Sequence, residues 1–330
     1  MEDNYNDIHA NILAHLPEKS LLRFRNVSKQ WCHMISSAYF SHASFVKTTY
    51  IPLPFATRNA GSNRRVAETN RNYYIYNPTT NQYATIPKPG YRTPNTIFGV
   101  ILAFDSLKSS HHKVVFVRSA TTFSHLYQLE IYSSQTRLWS FSSEVQEFNY
   151  SKGAYCSGFI HWMTNSGASL RFDVDRERFQ EIALPNGWNQ HARIRYFKES
   201  GGQLHLIFTN GRHSTRQFDV YEMEKDSSRW SVKYRVDLDA LISEYPEMIL
   251  NNSGPSDWDY HAYRVLAVVS KENEGSFMVL HIPGKAISYN FKHQTSTLLH
   301  DFAPGCTHIE GCITIETDDS FPYFGSLAIV

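Results

Sequence analysis

One pattern recurs along the chain from Tyr73 onward: an alternating strand, a polar turn, and a second strand with an aromatic residue or a leucine. Apolar and polar residues that alternate on both sides of a short turn are typical of β-hairpins. The first strands of five such hairpins carry aromatic anchors at intervals of 56, 40, 49 and 68 residues, namely Tyr76, Tyr132, Phe172, Tyr221 and Tyr289. Intervals of about 40 to 50 residues are those of one β-propeller blade.

More strand candidates lie between the hairpins, namely TIFGVILAF, HKVVFV, SGFIHWM, GGQLHLIF, YRVLAVV and GSFMVLHI. The total is roughly twenty strands, enough for five or six blades of four strands each. We therefore predict a mainly-β chain in which residues 73–330 form a propeller-like domain of about five or six blades. The stretches SFVKTTYI and FGSLAIV are candidates for the strands that close the ring.

The first 46 residues have a different pattern, which predicts a small module of three short helices. The apolar residues recur at helical spacing, and Pro17 ends the first helix because it donates no backbone hydrogen bond. A module of about 40 residues usually needs a disulfide, a metal or a partner to be stable. Neither a disulfide pair nor a metal cluster is present here. We therefore expect another protein to cover part of its apolar surface.

The stretch ILAHLPEKSLLRFRNVSKQWCHMISSAYF resembles the F-box of ubiquitin-ligase substrate adaptors, especially the plant form. The matching positions are Ile12-Leu13, Leu16-Pro17, Ser20-Leu21-Leu22, Arg23-Phe24, Val27-Ser28-Lys29 and Trp31. The resemblance implies docking onto a Skp-type adaptor, and through it onto cullin and RING subunits. Asn4-Tyr5 stands where the family usually has Leu-Pro. The residues expected to bind the adaptor are Ile8, Ile12, Leu13, Leu16, Pro17, Leu21, Leu22, Phe24, Val27, Trp31 and Ile35.

The hairpin region resembles the F-box-associated, kelch-like domain of plant F-box proteins. The residues that carry this resemblance are Asn77-Pro78-Thr79 with Ile86-Pro87, Phe104-Asp105 with Lys113-Val114-Val115, Ile131-Tyr132-Ser133-Ser134 with Trp139, Gly158 with His161-Trp162, Phe172-Asp173 with Glu177-Arg178-Phe179 and Leu184-Pro185, and Val220-Tyr221 with Trp230-Ser231-Val232. The double glycine of kelch repeats is found only at Gly201-Gly202. The predicted division is an F-box module at 1–46, a connecting strand and polar loop at 47–72, and the propeller-like domain at 73–330.

Composition excludes several functional classes. The net charge of +1 argues against a dedicated nucleic-acid or membrane-surface protein, and no run of about 18 apolar residues exists to span a membrane. The arginine-rich stretch at 56–72 has no interleaved aromatic residues for base stacking, so we interpret it as a solvated loop. The four cysteines are far apart and no signal peptide is visible, which favours the cytoplasm or the nucleus.

Candidate catalytic or metal-binding residues are few. CTHIEGC, at 306–312, offers three ligands without the spacing of structural zinc, so ordinary loop cysteines are expected. His161 and His205 occupy matching places in two strands and either line a channel or, as we expect, are hydrogen-bonded strand histidines. VDRERF and TDDS are interpreted as charged turns. No phosphate-binding glycine loop or nucleophile elbow is present. We therefore expect neither catalysis nor a cofactor.

These observations predict the substrate-recognition subunit of a Skp–cullin–F-box ubiquitin ligase. Three alternatives remain open at this point. One is a propeller scaffold, or a glycan- or peptide-binding protein, whose F-box-like segment no longer docks. Another is a propeller that binds or hydrolyses carbohydrate. The third treats the helical module as an ordinary cap on the β domain. The sequence does not identify the residues that bind a target.

Overall fold

The computed structural model describes residue 27 and residues 73–313, with gaps at 78–81, 90–96, 106–107, 110, 120–126, 146–148, 164–167, 190, 211–215, 225–228, 250–260, 271–274, 303–307 and 310–311. The helical module apart from Val27, the connecting segment and both proposed closing strands lie outside these residues. The chain divides into two compact units, Met1–Glu147 with Pro322–Val330 and Phe148–Phe321.

The first unit contains a hairpin and a four-stranded sheet. The hairpin pairs β1 with β2, and the sheet, called sheet A, is an antiparallel meander of β3 to β6. The strands are β1 Tyr73–Asn77, β2 Gln82–Ile86, β3 Ile97–Ala103, β4 Lys113–Ser119, β5 Tyr127–Ser133 and β6 Leu138–Val145.

The second unit contains three four-stranded antiparallel meanders and a final short hairpin. Sheet B comprises β7 Asn149–Cys156, β8 Phe159–Met163, β9 Ser169–Asp173 and β10 Arg178–Ile182. Sheet C comprises β11 Ala192–Ser200, β12 Gln203–Asn210, β13 Gln217–Met223 and β14 Trp230–Asp237. Sheet D comprises β15 Arg264–Val269, β16 Phe277–Ile282, β17 Lys285–Asn290 and β18 Ser296–Asp301. The hairpin pairs β19 His308–Ile309 with β20 Cys312–Ile313.

All five predicted hairpins and all six predicted intervening strands form at the expected places. The described residues thus contain four four-stranded sheets. Within the second unit, the first strand of sheet C contacts the first strands of sheets B and D. Successive meanders with neighbouring first strands are the arrangement of propeller blades, so the predicted mainly-β, propeller-like fold is confirmed. The total of five or six blades stays a prediction.

Strand β12 shows why these strands are apolar over most of their length. Leu204 and Leu206 belong to a core shared by sheets B and C. Ile207, on the other face, belongs to a core shared by sheets C and D. Because both faces of the strand are covered, its burial is almost continuous and the simple alternation of a half-exposed strand is lost.

Three of the hairpin turns share one local geometry, and it occurs at a fixed distance after the aromatic anchor. Tyr132 pairs with Trp139 and Phe172 pairs with Phe179, seven residues apart in each case. Five residues after each anchor, Arg137 and Glu177 adopt positive φ angles of 58° and 53°. Gln294, five residues after Tyr289, has a φ of 53°. The same turn therefore recurs in sheets A, B and D.

In sheets B and D, the residue after the anchor stabilises the turn through its side-chain oxygen. Asp173 Oδ1 accepts hydrogen bonds from the backbone N–H groups of Asp175 and Arg176, at 3.0 and 2.9 Å. Asn290 Oδ1 accepts in the same way from Lys292 and His293, at 2.9 Å each. Short polar side chains favour such turns because they satisfy backbone donors locally. VDRERF is therefore a charged turn, as predicted.

Aromatic side chains of the hairpins also join sheets A, C and D to the segment that precedes each of them. Trp139 Nε1 donates to the Pro87 carbonyl oxygen at 2.9 Å, and Tyr289 Oη donates to the Asp237 carbonyl oxygen at 3.1 Å. Tyr221 Oη donates to the Asn186 carbonyl oxygen at 3.4 Å. Each bond satisfies a polar tip on an otherwise apolar ring and joins neighbouring segments within one unit.

Gly201-Gly202, the double glycine noted in the sequence, forms the turn between β11 and β12. Gly201 has a φ of +61°, and a Cβ there would lie 3.2 Å from the Cβ of Ser270, the residue directly after β15. Gly202 has a φ of +80°, and its carbonyl oxygen accepts from Cys156 Sγ of sheet B at 3.5 Å. This turn therefore needs glycine both for its conformation and for close approach to a neighbouring sheet.

A short helical segment between sheets C and D was not predicted. Helix α1, Asp239–Glu244, and a 3-10 helix, Pro246–Met248, follow sheet C and bury Leu241 and Met248. The helix is too short to show a sustained helical period, which explains why the sequence pattern missed it. In the described ranges, none of the helices has the length and hydrophobicity needed to cross a bilayer.

Candidate functional site

The residues expected to bind the adaptor lie outside the described residues, with the exception of Val27. Val27 is in a turn, and 62% of its surface is exposed. Adaptor docking therefore stays a prediction. Two clefts lie in the described part of the second unit.

The first cleft, called the polar cleft, has a volume of about 450 Å³ and lies at the end of sheet C. Two register pairs of β13 and β14 line this cleft. Gln217 lies opposite Asp237, and Asp219 lies opposite Arg235. Gln217 Nε2 donates to Asp237 Oδ2 at 2.8 Å, and Arg235 Nε lies 3.8 Å from Asp219 Oδ1. The cleft thus contains one cation and two carboxylates: Asp219 lies near the Arg235 cation, and Asp237 accepts from the Gln217 amide.

This arrangement bears on the glycan-hydrolysing alternative. The pKa of Asp237 is lowered by the backbone N–H of Asp239, by the Gln217 amide and by the nearby Arg216 charge. A glycosidase needs a general acid whose pKa is raised so that the carboxyl group keeps its proton. Asp237 does not meet this requirement.

The second cleft, called the arginine cleft, has a volume of about 320 Å³ and lies on one face of sheet B. Its lining is Phe159, Arg171, Asp173, Arg176, Arg178, Phe179 and Gln180. Three guanidinium groups thus share this small space with a single carboxylate. These residues do not stand out as a cluster in the sequence.

Three buried histidines lie on the second strands of their sheets: His161 in sheet B, His205 in sheet C and His281 in sheet D. The expectation that His161 and His205 occupy matching places is wrong in detail. Ile160 opposes the anchor Phe172 and precedes His161, whereas Leu206 opposes Tyr221 and follows His205. The two histidines are therefore offset by two residues in register. His281 was missed because it lies at the end of an apolar strand.

His205 lies in a polar cluster between sheets C and D. Its Nε2 is 3.3 Å from Glu222 Oε2 and 3.3 Å from Ser270 Oγ, and Lys233 Nζ is 3.0 Å from Glu222 Oε1. Burial lowers the pKa of His205. The residue types match a catalytic triad, but a triad uses the two different ring nitrogens for its nucleophile and its carboxylate. Here both contacts involve one nitrogen, so the cluster does not have the geometry of a triad. It connects sheets C and D, in agreement with the expected hydrogen-bonded strand histidine.

The CTHIEGC stretch contributes the short hairpin β19–β20, in which Ile309 pairs with Cys312. Cys306 and the side chains of His308 and Cys312 lie outside the described residues. Elsewhere in the described ranges, no group of three or more His, Cys, Asp or Glu side chains could hold a metal ion.

Buried neutral histidines predict that the protein loses stability in mild acid. Burial, reinforced by the Arg171 charge, lowers the pKa of His161 from 6.5 to about 3. The unfolded chain therefore binds a proton between pH 6.5 and 3 that the folded chain does not bind. The free energy of unfolding should fall as the pH falls through this window, by about 2 kcal/mol at pH 5 from His161 alone.

Urea unfolding at pH 7 and pH 5 measures this effect. The decrease in the His161→Gln variant should be smaller by about 2 kcal/mol, whereas His293→Gln, a change at an exposed turn residue, should keep the full decrease. Identical pH dependence in the wild type and His161→Gln would contradict the assignment.

Comparisons with known proteins agree with this architecture. Residues 5–42 match the F-box domain, and residues 41–250 match the F-box associated beta propeller domain. F-box protein At5g07610 of Arabidopsis thaliana is 31% identical over 90% of this chain and 85% of its own length. F-box protein At5g49610 of the same plant is 23% identical over 73% of this chain and 80% of its own length.

Among solved structures, an oligogalacturonate lyase in complex with manganese has a TM-score of 0.40 at 10% identity, over 71% of this chain and 61% of that one. This likeness is too weak to transfer a function. The family model that covers 41–250 spans more than half of the chain, and the first relative matches along nearly all of it. The chain therefore belongs to the plant F-box proteins that carry an F-box associated beta propeller domain.

Proposed function

We propose that this protein is the substrate-recognition subunit of a Skp–cullin–F-box ubiquitin ligase. One observation carries the proposal: an F-box match at 5–42 is followed directly by a propeller match at 41–250 in the same chain. The F-box segment would bind a Skp-type adaptor, which connects to the cullin and RING subunits. The propeller would present a target protein.

The mechanism needs no bond-making step in this chain. Holding a target lysine near a charged conjugating enzyme makes ubiquitin transfer effectively intramolecular, which raises its rate through effective concentration. F-box proteins are typically adaptors, and the His205 cluster lacks triad geometry. We further propose that the protein acts in the cytoplasm or nucleus, in keeping with its few cysteines.

Adaptor docking is tested by co-purification of the full chain with a Skp-type adaptor. The wild type should bind, and Leu16→Glu with Leu21→Glu should abolish binding, because charges on the docking face cannot be buried without a partner. Leu138→Glu is the matched control, since this leucine is 68% exposed in sheet A. A wild-type chain that fails to bind the adaptor would refute docking.

The second candidate is a propeller scaffold that no longer docks, and Asn4-Tyr5 in place of the usual Leu-Pro favours it. The same co-purification separates the two functions. Restoring binding by Asn4→Leu with Tyr5→Pro in a non-binding wild type would identify this departure as the cause.

A further inference from the structure

We propose that the arginine cleft of sheet B binds a phosphorylated serine or threonine side chain on a target peptide. This inference rests on the proposed function, because it names the chemical class of target that the propeller would select. It depends on three features of the cleft: the excess of positive charge, the exposed Arg178 and the stacking of Arg171 on the Phe159 ring.

The cleft has an excess of positive charge where a ligand would enter. Its lining residues include three arginines and one aspartate, a formal charge of +2. The acidic turn residues Asp175 and Glu177 do not contribute to the lining. A cleft with walls of one charge sign concentrates ligands of the opposite sign.

The guanidinium groups differ in how far they are already engaged. Arg176 Nη1 lies 3.3 Å from Asp173 Oδ2, which neutralises part of its charge. Arg178 is exposed and forms no hydrogen bond or ion pair with the residues that the structure describes. Arg178 opposes Asp173 across β9 and β10 and so lies on the same face of the sheet. It is the group most available to an incoming anion.

Two neutral groups contact the Arg171 guanidinium. Its guanidinium carbon lies 4.3 Å from the centroid of the Phe159 ring, and its Nη2 donates to Gln180 Oε1. Stacking on an aromatic face leaves the edge of a guanidinium group able to bind an oxyanion, and a pre-positioned group loses less entropy on binding. Arg171 and Gln180 are register partners, so the sheet itself sets their positions.

A phosphate monoester fits this cleft better than a carboxylate does. A carboxylate satisfies one planar arginine fork, whereas a phosphate carries a charge near −2 and three acceptor oxygens that several guanidiniums can share. The only carboxylate in the lining, Asp173, already accepts two backbone N–H groups and Arg176. Phe159 borders the cleft and offers apolar contact to the residues beside the phosphate.

The polar cleft of sheet C supplies the natural comparison. It is larger, but its single arginine faces two aspartates, so its formal charge is −1. An anionic ligand would be repelled there. Arg235, whose side chain is 85% exposed, therefore provides a matched control for the loss of one arginine.

The test uses the full chain, fluorescently labelled, and three oriented peptide libraries that differ only at one fixed residue: phosphoserine, glutamate or serine. The wild type should be retained by the phosphoserine library about tenfold more than by the serine library, with glutamate intermediate. Free inorganic phosphate should compete, and retention should fall as ionic strength rises.

The variants assign the binding to this cleft. Arg171→Gln with Arg178→Gln should lower retention to the serine level, and Arg178→Gln alone, at an exposed site, should lower it without affecting folding. Arg235→Gln should bind as the wild type does. Equal retention by all three libraries, or unchanged binding by Arg178→Gln, would overturn the proposal. So would stronger binding of a mixed-sequence single-stranded oligonucleotide. Adaptor co-purification is measured separately, so the proposed function can stand if this inference fails.

Discussion

Replacement of Arg118 by methionine is expected to lower the free energy of unfolding by about 3–5 kcal/mol. Arg118 Nη1 of β4 lies 2.7 Å from both carboxylate oxygens of Glu130 on β5. Only 7% and 4% of the two side-chain surfaces are exposed. Methionine would fill the space but leave the Glu130 charge buried without its cation, and this unpaired charge is the source of the loss.

The double variant Arg118→Met with Glu130→Leu separates that penalty from the value of the ion pair itself. Replacing both charges by apolar groups removes the cost of dehydrating them, so the double variant should be within about 1 kcal/mol of the wild type or more stable. Denaturant unfolding of the wild type and the three variants completes the cycle. A double variant as unstable as the sum of the single variants would contradict this account.

An exposed arginine–aspartate pair serves as control. Arg216 Nη1 lies 3.1 Å from Asp239 Oδ1, but about half of each side chain is exposed, 53% and 54%. Arg216→Met should therefore change the free energy of unfolding by less than about 1 kcal/mol. The comparison isolates burial as the cause of the difference.

The second large effect is expected for Phe172→Ala, which should cost about 3–5 kcal/mol of stability. Phe172 is fully buried on β9, and its ring centroid lies 4.8 Å from that of Phe179 on β10. Truncation removes the transfer free energy of the ring and leaves a cavity that the paired strands cannot fill by moving. Denaturant unfolding monitored by circular dichroism measures the loss.

Phe141→Ala provides the matched control, because this phenylalanine also lies on a strand but is 46% exposed. It should cost less than half as much as Phe172→Ala, since much of its ring is already in water. Similar losses for the two variants would show that the anchor position has no special role in the fold.

The strands were predictable because their signals are local. Alternation reports which face of a strand is covered, and a polar turn with an aromatic residue on either side sets the register of a hairpin, as between Tyr132 and Trp139. These signals need only about ten neighbouring residues. The same reasoning identified the anchors Phe172, Tyr221 and Tyr289, all of which are buried.

Features that depend on contacts between strands or sheets were not predictable. Arg118 and Glu130 are charged residues that a pattern of polarity assigns to the surface, and only the pairing of β4 with β5 makes them partners. His281 looks like the polar end of an apolar strand. Helix α1 is stabilised by burial of Leu241 against other elements, which a single short segment does not reveal.

The arginine cleft was predictable from the sequence only in part. Arg171 and Asp173 are two residues apart on β9, and Arg178 and Gln180 are two apart on β10. Once the hairpin is assigned, alternation places all four on one face. Their register could therefore have been derived from the sequence, but the stacking of Arg171 on Phe159 comes from a third strand and could not.

The most direct test of the central claim is proximity labelling in plant cells, comparing the wild type with Leu16→Glu/Leu21→Glu, each with and without proteasome inhibition. If the chain links a target to the ligase, the wild type should label a set of proteins more strongly when the proteasome is inhibited. The variant should label the same proteins strongly without inhibitor, because it binds them but cannot deliver them. Labelling that responds neither to the inhibitor nor to the variant would contradict the account.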